Sequence, residues 1–168
     1  RQHNATAALI GGDADLATHV LERRRDARRK YDLVNRSFQR SLTDLEELRG
    51  FGLDRPRVFD YFVTATRLDR VADGAERVAV VALERDESTD LRDSYAVSAR
   101  RARDLVDDAV ETLLDADDPV RAFEVKESAA DLRESPGGVG DPTARLAIES
   151  LRRTAVAAED VATRAMQA

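Results

Sequence analysis

The sequence contains no cysteine and no tryptophan, and all but two of its 27 basic residues are arginine. The absence of cysteine excludes disulfides, thiolate metal sites and cysteine nucleophiles. Five Phe and three Tyr supply all the aromatic side chains, so we expect a mostly aliphatic core rich in Ala and Val. The apolar runs are short: VAVVAL, residues 78–83, is far below the ~20 residues that a membrane-spanning helix needs. There is no secretory signal pattern either, so we expect a cytoplasmic protein without membrane insertion.

The charge balance is acidic, with a formal net charge of −6 at pH 7 and 36% charged residues. Direct nucleic-acid binding by this segment is disfavoured, because it requires many phosphate contacts from a basic face. A lysine-poor, acid-rich composition resembles that of proteins from salt-loving microbes and indicates a halophilic archaeon. A GC-rich genome alone could produce the same arginine bias.

Apolar residues recur at helical spacing along nearly the whole chain, and no segment has the alternation of a strand. We therefore predict an all-α fold of six helices. Gly11-Gly12 break the first helix, Asp13 caps the second, and Gly50 follows the second as a stop signal. The segment SPGGVGDP, residues 135–142, is predicted to be a loop. The predicted helices cover about residues 1–10, 13–49, 55–86, 89–116, 119–134 and 143–168.

The second predicted helix is the longest, because no Gly or Pro interrupts the chain between Asp13 and Gly50. Its apolar residues have the spacing of a coiled coil, so we expect them to form a buried stripe. That stripe comprises Val20, Ala27, Tyr31, Val34, Phe38, Leu45 and Leu48. The last helix has a stripe of mostly small residues that permits close packing. It comprises Ile148, Leu151, Ala155, Ala158, Ala162 and Ala165.

The chain contains a weak internal repeat. TRLDRVADGAERVA, which starts at Thr66, aligns with ESLRRTAVAAEDVA, which starts at Glu149. DADLATHVLERRRDAR, from Asp13, likewise resembles DDPVRAFEVKESAADLR, from Asp117. We therefore predict one domain made of two tandem, antiparallel three-helix units. The first unit covers residues 1–86 with an incomplete first helix, and the second covers residues 87–168 and is shorter.

Three acidic side chains follow one another in the third predicted helix. Asp69, Asp73 and Glu76 are spaced by four and three residues, which places their carboxylates on one helix face. Like charges so placed repel each other by about a few tenths of a kcal/mol per pair. A cation is therefore expected opposite them: a metal ion, a basic patch of a partner, or arginines of this chain.

The repeated segments resemble the PhoU family of phosphate-uptake regulators. LDRVADGAERVA, residues 68–79, is similar to the family sequence LERIGDxAxxIA, and ATHVLERRRDARRKY, residues 17–31, to AxxVxExDxxVDxxY. The resemblance implies a PhoU-like helical bundle that acts as a dimeric cytoplasmic adaptor and not as an enzyme. Such adaptors restrain phosphate import and signalling by contacting the ATPase of a phosphate transporter or a signalling protein.

The resemblance also implies two alternative functions. Archaeal members of this kind often carry an AbrB-like DNA-binding domain at the N-terminus. Because the chain starts at Arg1 and not at Met, we expect it to be a segment of a longer protein. It could then be the effector or dimerisation part of a transcriptional regulator. Some members bind iron or zinc through acidic motifs, so a metal-binding carboxylate bundle is the other alternative. Independently of the resemblance, a helical spacer that only oligomerises is a third alternative.

Carried over to this chain, the family's acidic motif is kept at Asp69 and Asp73, whereas the facing positions are Arg24 and Arg28. The equivalent positions of the second half are Ala129, Arg133, Arg152 and Val156. One carboxylate pair that faces guanidinium groups is a poor start for a metal site, so a metal at Asp69 and Asp73 is disfavoured. We expect the two arginines to pair across the helices with Asp69, Asp73 and Glu76. A solvated charged face without defined partners remains the alternative.

The sequence predicts no catalytic residue and no cofactor site. Its two histidines, His3 and His19, do not form the paired Glu-x-x-His motifs of a di-iron bundle. Ser and Thr residues have no credible histidine base, and no glycine-rich phosphate loop occurs. Near the turn after Gly50, Phe51, Phe59 and Phe62 are candidate contact residues for dimerisation, and core packing, the commoner fate of Phe, is the alternative.

Overall fold

The computed structural model describes residues 2–11, 13–84, 93–114, 119–134 and 142–167. These residues form seven α-helices, and no strand occurs among them. The predicted all-α fold class is therefore confirmed. The helices are α1 Gln2–Gly11, α2 Ala14–Thr43, α3 Leu45–Gly50, α4 Arg55–Leu83, α5 Asp93–Leu114, α6 Pro119–Glu134 and α7 Pro142–Ala165.

Aspartates start the two longest helices. The carboxylate of Asp13 accepts a hydrogen bond from the backbone N–H of Leu16 at 2.8 Å. Asp54 accepts one from the N–H of Arg57 at 3.0 Å, and Pro56 lies in the first turn of α4. These bonds satisfy backbone donors that a helix start leaves without a partner. The predicted starts at Asp13 and near Pro56 are confirmed.

The prediction of one continuous helix over residues 13–49 is wrong, because the chain breaks at Asp44. The backbone of Asp44 is extended, with φ −120° and ψ 114°, and it separates α2 from α3. The Asp44 carboxylate accepts a hydrogen bond from the N–H of Glu46 at 2.8 Å. The hydroxyls of Ser41 and Thr43 donate to carbonyls three residues back. Such side-chain bonds offer the backbone an alternative to the helix.

The predicted stripe of the second helix is buried only near its start. Val20 is buried, whereas Val34 is exposed, so the prediction for Val34 is wrong. The side chain of Leu45 lies outside the described residues. The other members are half-buried: Ala27, Tyr31, Phe38 and Leu48. On α7, by contrast, every residue of the predicted small-residue stripe is buried.

Two clusters of buried apolar side chains form the core. One joins α1, α2 and α4 through residues such as Ala8, Val20 and Val78, and the other joins α5, α6 and α7. α4 and α7 also contact each other. The division into two tandem units stays a prediction, since its boundary at residues 86–87 lies outside the described part of the chain. Most of the predicted loop, residues 135–141, also lies outside it.

Ion pairs show the direction of α4 relative to α7. Arg67 Nη2 lies 2.9 Å from Asp160 Oδ2, and Arg164 Nη1 lies 3.1 Å from Asp60 Oδ1. From the first pair to the second, the residue number decreases on α4 and increases on α7, so the two helices are antiparallel. None of the helices described is both long and apolar enough to cross a membrane.

Candidate functional site

A cluster of charged side chains lies between α2 and α4, and Arg24 is at its centre. The buried residues at the start of α2 are Ala17, Val20 and Arg24, so the arginine occupies the same face as the apolar residues. Opposite them, α4 presents the three carboxylates that the sequence places on one face. We call Arg24, Arg28, Asp69, Asp73 and Glu76 the Arg24 cluster. The structure brings all five predicted residues together.

The guanidinium of Arg24 contacts all three carboxylates. Its Nη1 donates to Asp69 Oδ1 at 2.9 Å, and its Nη2 donates to Asp73 Oδ1. Its Nε lies 3.4 Å from Glu76 Oε2. One turn further along α2, Arg28 Nη1 donates to the second oxygen of Asp69, Oδ2, at 3.0 Å. Asp69 therefore accepts one hydrogen bond on each oxygen, from two different arginines.

Burial differs across the Arg24 cluster. The side chains of Arg24 and Asp69 are 8% and 9% exposed, whereas Asp73, Glu76 and Arg28 are 41% exposed or more. Burial lowers the pKa of the Arg24 guanidinium, but the hydrogen bond that it donates to Asp73 and the charges of Asp69 and Asp73 outweigh this effect. The net effect raises the pKa of Arg24 above its ordinary value. The centre of the cluster is thus a desolvated ion pair whose cation stays charged.

The Arg24 cluster does not fit a metal site at Asp69 and Asp73. A hard cation needs several oxygen ligands that converge on one point. Here both oxygens of Asp69 and one oxygen of Asp73 already accept hydrogen bonds from guanidinium groups. In the part of the chain that the structure describes, no group of three or more His, Asp or Glu could hold a metal ion.

An apolar groove of about 300 Å³ lies between the second half of α2 and the first turns of α4, close to the end of α3. Leu33, Val34 and Phe38 of α2 line one side, and Phe51, Leu53 and Phe62 line the other. Phe38 and Phe62 stack with their ring centroids 4.0 Å apart and their planes within 5°. The sequence-based prediction found Phe51 and Phe62 but missed Leu33 and Leu53. Leu33 directly precedes Val34 in the sequence but does not belong to the predicted stripe. A leucine outside the stripe of a coiled-coil pattern is a sequence signal that could have identified this contact residue.

The third candidate contact residue, Phe59, lies beside the same groove. It is exposed, its ring centroid is 6.2 Å from that of Phe38, and the Arg164 guanidinium lies 5.2 Å from the centre of its ring.

Comparisons of the chain with protein families, curated proteins and solved structures found no match. A functional hypothesis therefore depends on the Arg24 cluster, on the apolar groove and on the sequence resemblance.

Proposed function

We propose that this chain is a non-enzymatic regulatory adaptor of phosphate uptake and phosphate homeostasis that acts by protein–protein contacts. The likeness of residues 17–31 and 68–79 to PhoU family motifs supports this proposal. A cytoplasmic homodimer that contacts the ATPase of a phosphate transporter, or a signalling protein, is the corresponding assembly. The all-helical fold is compatible with such a role.

The observation that carries the proposal is the open apolar groove beside α3. Leu33 is 59% exposed, and Phe51 and Leu53 are exposed as well. Contiguous apolar surface rimmed by polar residues marks interaction sites on soluble proteins. Apolar grooves between helices accept an amphipathic helix of a partner, with aromatic side chains as anchors. The groove therefore suits a helical segment of a partner protein.

We expect the Arg24 cluster to position the two helices that form the groove. It fixes the register of α2 against α4, which are the helices that carry Phe38 and Phe62. Side chains held in place before binding lose less conformational entropy when a partner docks. The cluster thus acts as a positioning element, and the groove as the contact surface.

A binding measurement with a matched control tests the proposal. Leu33→Ser should weaken binding of the purified ATPase subunit of a phosphate transporter by about tenfold or more, the usual effect at an interface hot spot. Leu114→Ser is the control, because Leu114 is 57% exposed, close to the 59% of Leu33, and lies on α5. Both variants should keep the helical circular-dichroism spectrum of the parent.

Equal affinities of the two variants would contradict the proposed docking surface. If the parent chain itself does not bind the ATPase subunit, the adaptor proposal fails for that partner. Elemental analysis of protein purified without chelators separates the adaptor from the metal-binding alternative. Stoichiometric iron or zinc would favour the metal-binding carboxylate bundle, which the hydrogen bonds to Asp69 and Asp73 disfavour.

A further inference from the structure

A second groove, of about 350 Å³, lies between α4 and α7, and arginines dominate its lining. Arg67, Arg70 and Arg77 come from α4, and Arg153 comes from α7. Val156 and Ala157 supply its apolar lining. We call this the arginine groove. It is distinct from the apolar groove and borders the Arg24 cluster at Asp73.

The two carboxylates of the arginine groove are already neutralised. Asp160 pairs with Arg67 at 2.9 Å, and Asp73 accepts a hydrogen bond from Arg24. Among the residues that the structure describes, Arg70 and Arg77 have no ion-pair or hydrogen-bond partner. Arg153 also pairs with a carboxylate, that of Glu149, at 2.9 Å. Arg70 and Arg77 therefore supply the excess positive charge of the groove, although the chain as a whole has a net charge of −6.

We propose that the arginine groove binds a small phosphate-type anion with at least two negative charges, orthophosphate or pyrophosphate. Guanidinium groups suit such an anion, because their planar forks donate two parallel hydrogen bonds to neighbouring oxygens. No aromatic side chain occurs among the described lining residues, so a nucleobase has no surface on which to stack. This lining favours an inorganic anion over a nucleotide.

Arg70 and Arg77 are exposed and do not join α4 to α7. Among the described residues, the ion pairs that join α4 to α7 are Arg67–Asp160 and Asp60–Arg164, and neither uses these two arginines. Two cations without counter-charges beside other arginines repel one another. An anion in the groove removes that repulsion, and by mass action its binding also stabilises the folded chain.

Asp73 connects the arginine groove to the Arg24 cluster. Its carboxylate lines the groove, where an unpaired negative charge would repel an anion. The hydrogen bond from Arg24 offsets that charge. Asp73→Asn should therefore increase the affinity for the anion several-fold, because it removes the remaining negative charge and leaves Arg70 and Arg77 in place.

Isothermal titration calorimetry with orthophosphate and pyrophosphate, at constant ionic strength, tests the proposal. The double variant R70Q/R77Q should weaken binding by about tenfold or more, since it removes two charge-assisted contacts. The control is R25Q/R100Q, which changes the net charge equally at two exposed arginines outside the groove. The control should stay within about twofold of the parent, as long-range charge effects are screened.

Binding of either anion supports the site, and the stronger of the two identifies its ligand. Absence of binding by the parent chain, an equal loss in the control, or weaker binding by Asp73→Asn would overturn the proposal. The outcome does not depend on the adaptor function. Loss of ATPase binding in Leu33→Ser and loss of anion binding in R70Q/R77Q are separate measurements on separate grooves.

Discussion

The interface between α2 and α4 and the interface between α6 and α7 have different chemistry at positions that align in the predicted internal repeat. Ala17 and Val20 of α2 are equivalent in the internal repeat to Ala122 and Val125 of α6, and all four are buried. The next buried position is Arg24 on α2 but Ala129 on α6. On the facing helix, Val156 aligns with Asp73; Val156 is exposed, whereas Asp73 is half-buried.

The second interface also contains charged residues: Arg152, which aligns with Asp69, is half-buried. Arg133, equivalent to Arg28, pairs with Glu159, equivalent to Glu76, at 3.1 Å. Both side chains are partly exposed. A buried ion pair is often no more stabilising than apolar packing of the same volume, because removing two charges from water is costly. The first interface thus obtains a specific register from its charges, whereas the second relies on close aliphatic packing.

We expect the largest loss of stability from introducing an arginine into the second interface, at the position that aligns with Arg24. Ala129→Arg would place an unpaired cation among Leu132, Leu151 and Ala155, where overpacking adds to the cost of burying charge. We expect a loss of about 4 kcal/mol or more in the free energy of unfolding, measured by urea denaturation. Ala129→Leu separates volume from charge and should cost only about 1–3 kcal/mol.

Adding a carboxylate opposite the introduced arginine tests whether the two positions interact. Adding Val156→Asp to Ala129→Arg reproduces the facing pair Arg24–Asp73 in the second half and should recover at least about 1 kcal/mol. If Val156→Asp alone is as stabilising as it is in the double variant, the two positions do not interact. The equivalence of the two interfaces would then fail.

The next largest effect is expected from removing the buried cation of the first interface. Arg24→Met leaves Asp69 desolvated with Arg28 as its remaining partner, so we expect a loss of about 2–4 kcal/mol in urea denaturation. The double variant R24M/D69L removes both members of the buried pair. It should be more stable than Arg24→Met alone, and a less stable double variant would contradict the cost we assign to the unpaired carboxylate.

The smallest effect is expected at the surface pair of the second interface. Arg133→Ala should cost about 0–1 kcal/mol in low salt and nothing measurable in ~1 M salt, where exposed pairs are screened. The cost of Arg24→Met should persist in the same salt, since its pair with Asp69 is buried. Equal salt sensitivity of the two variants would show that the Arg24 cluster is solvated.

The composition of the Arg24 cluster was predicted in two ways. Local spacing places Asp69, Asp73 and Glu76 on one helix face, and the resemblance to the PhoU family implies that Arg24 and Arg28 lie opposite them. Arg24 follows Val20 by four residues, and Asp69 precedes Asp73 by four, so each helix presents its members on one face. The distances and the burial of Asp69 could not be predicted. They depend on how closely α4 approaches α2, which is a property of the packed helices.

Other features needed the tertiary structure. The break at Asp44 depends on side-chain bonds that compete with a helix, and residue spacing does not reveal which wins. The exposure of Val34 depends on whether another helix covers that end of α2. The arginine groove was not predicted from the sequence, because the packing of α4 against α7 decides which arginines lie together. Arg153, equivalent to Arg70 in the repeat, was the available signal.

The raised pKa of Arg24 has a mechanical consequence. Because the folded-state pKa lies above that of the unfolded chain, the stabilisation from this guanidinium is complete below the unfolded value and is lost only in strong alkali. A pH change within the physiological range therefore does not remove the charge of Arg24, and α2 and α4 do not lose its ion pairs in this way. Because the ion pair of Arg24 with Asp69 is buried, we expect α2 and α4 to stay in contact at this point when the protein binds a partner.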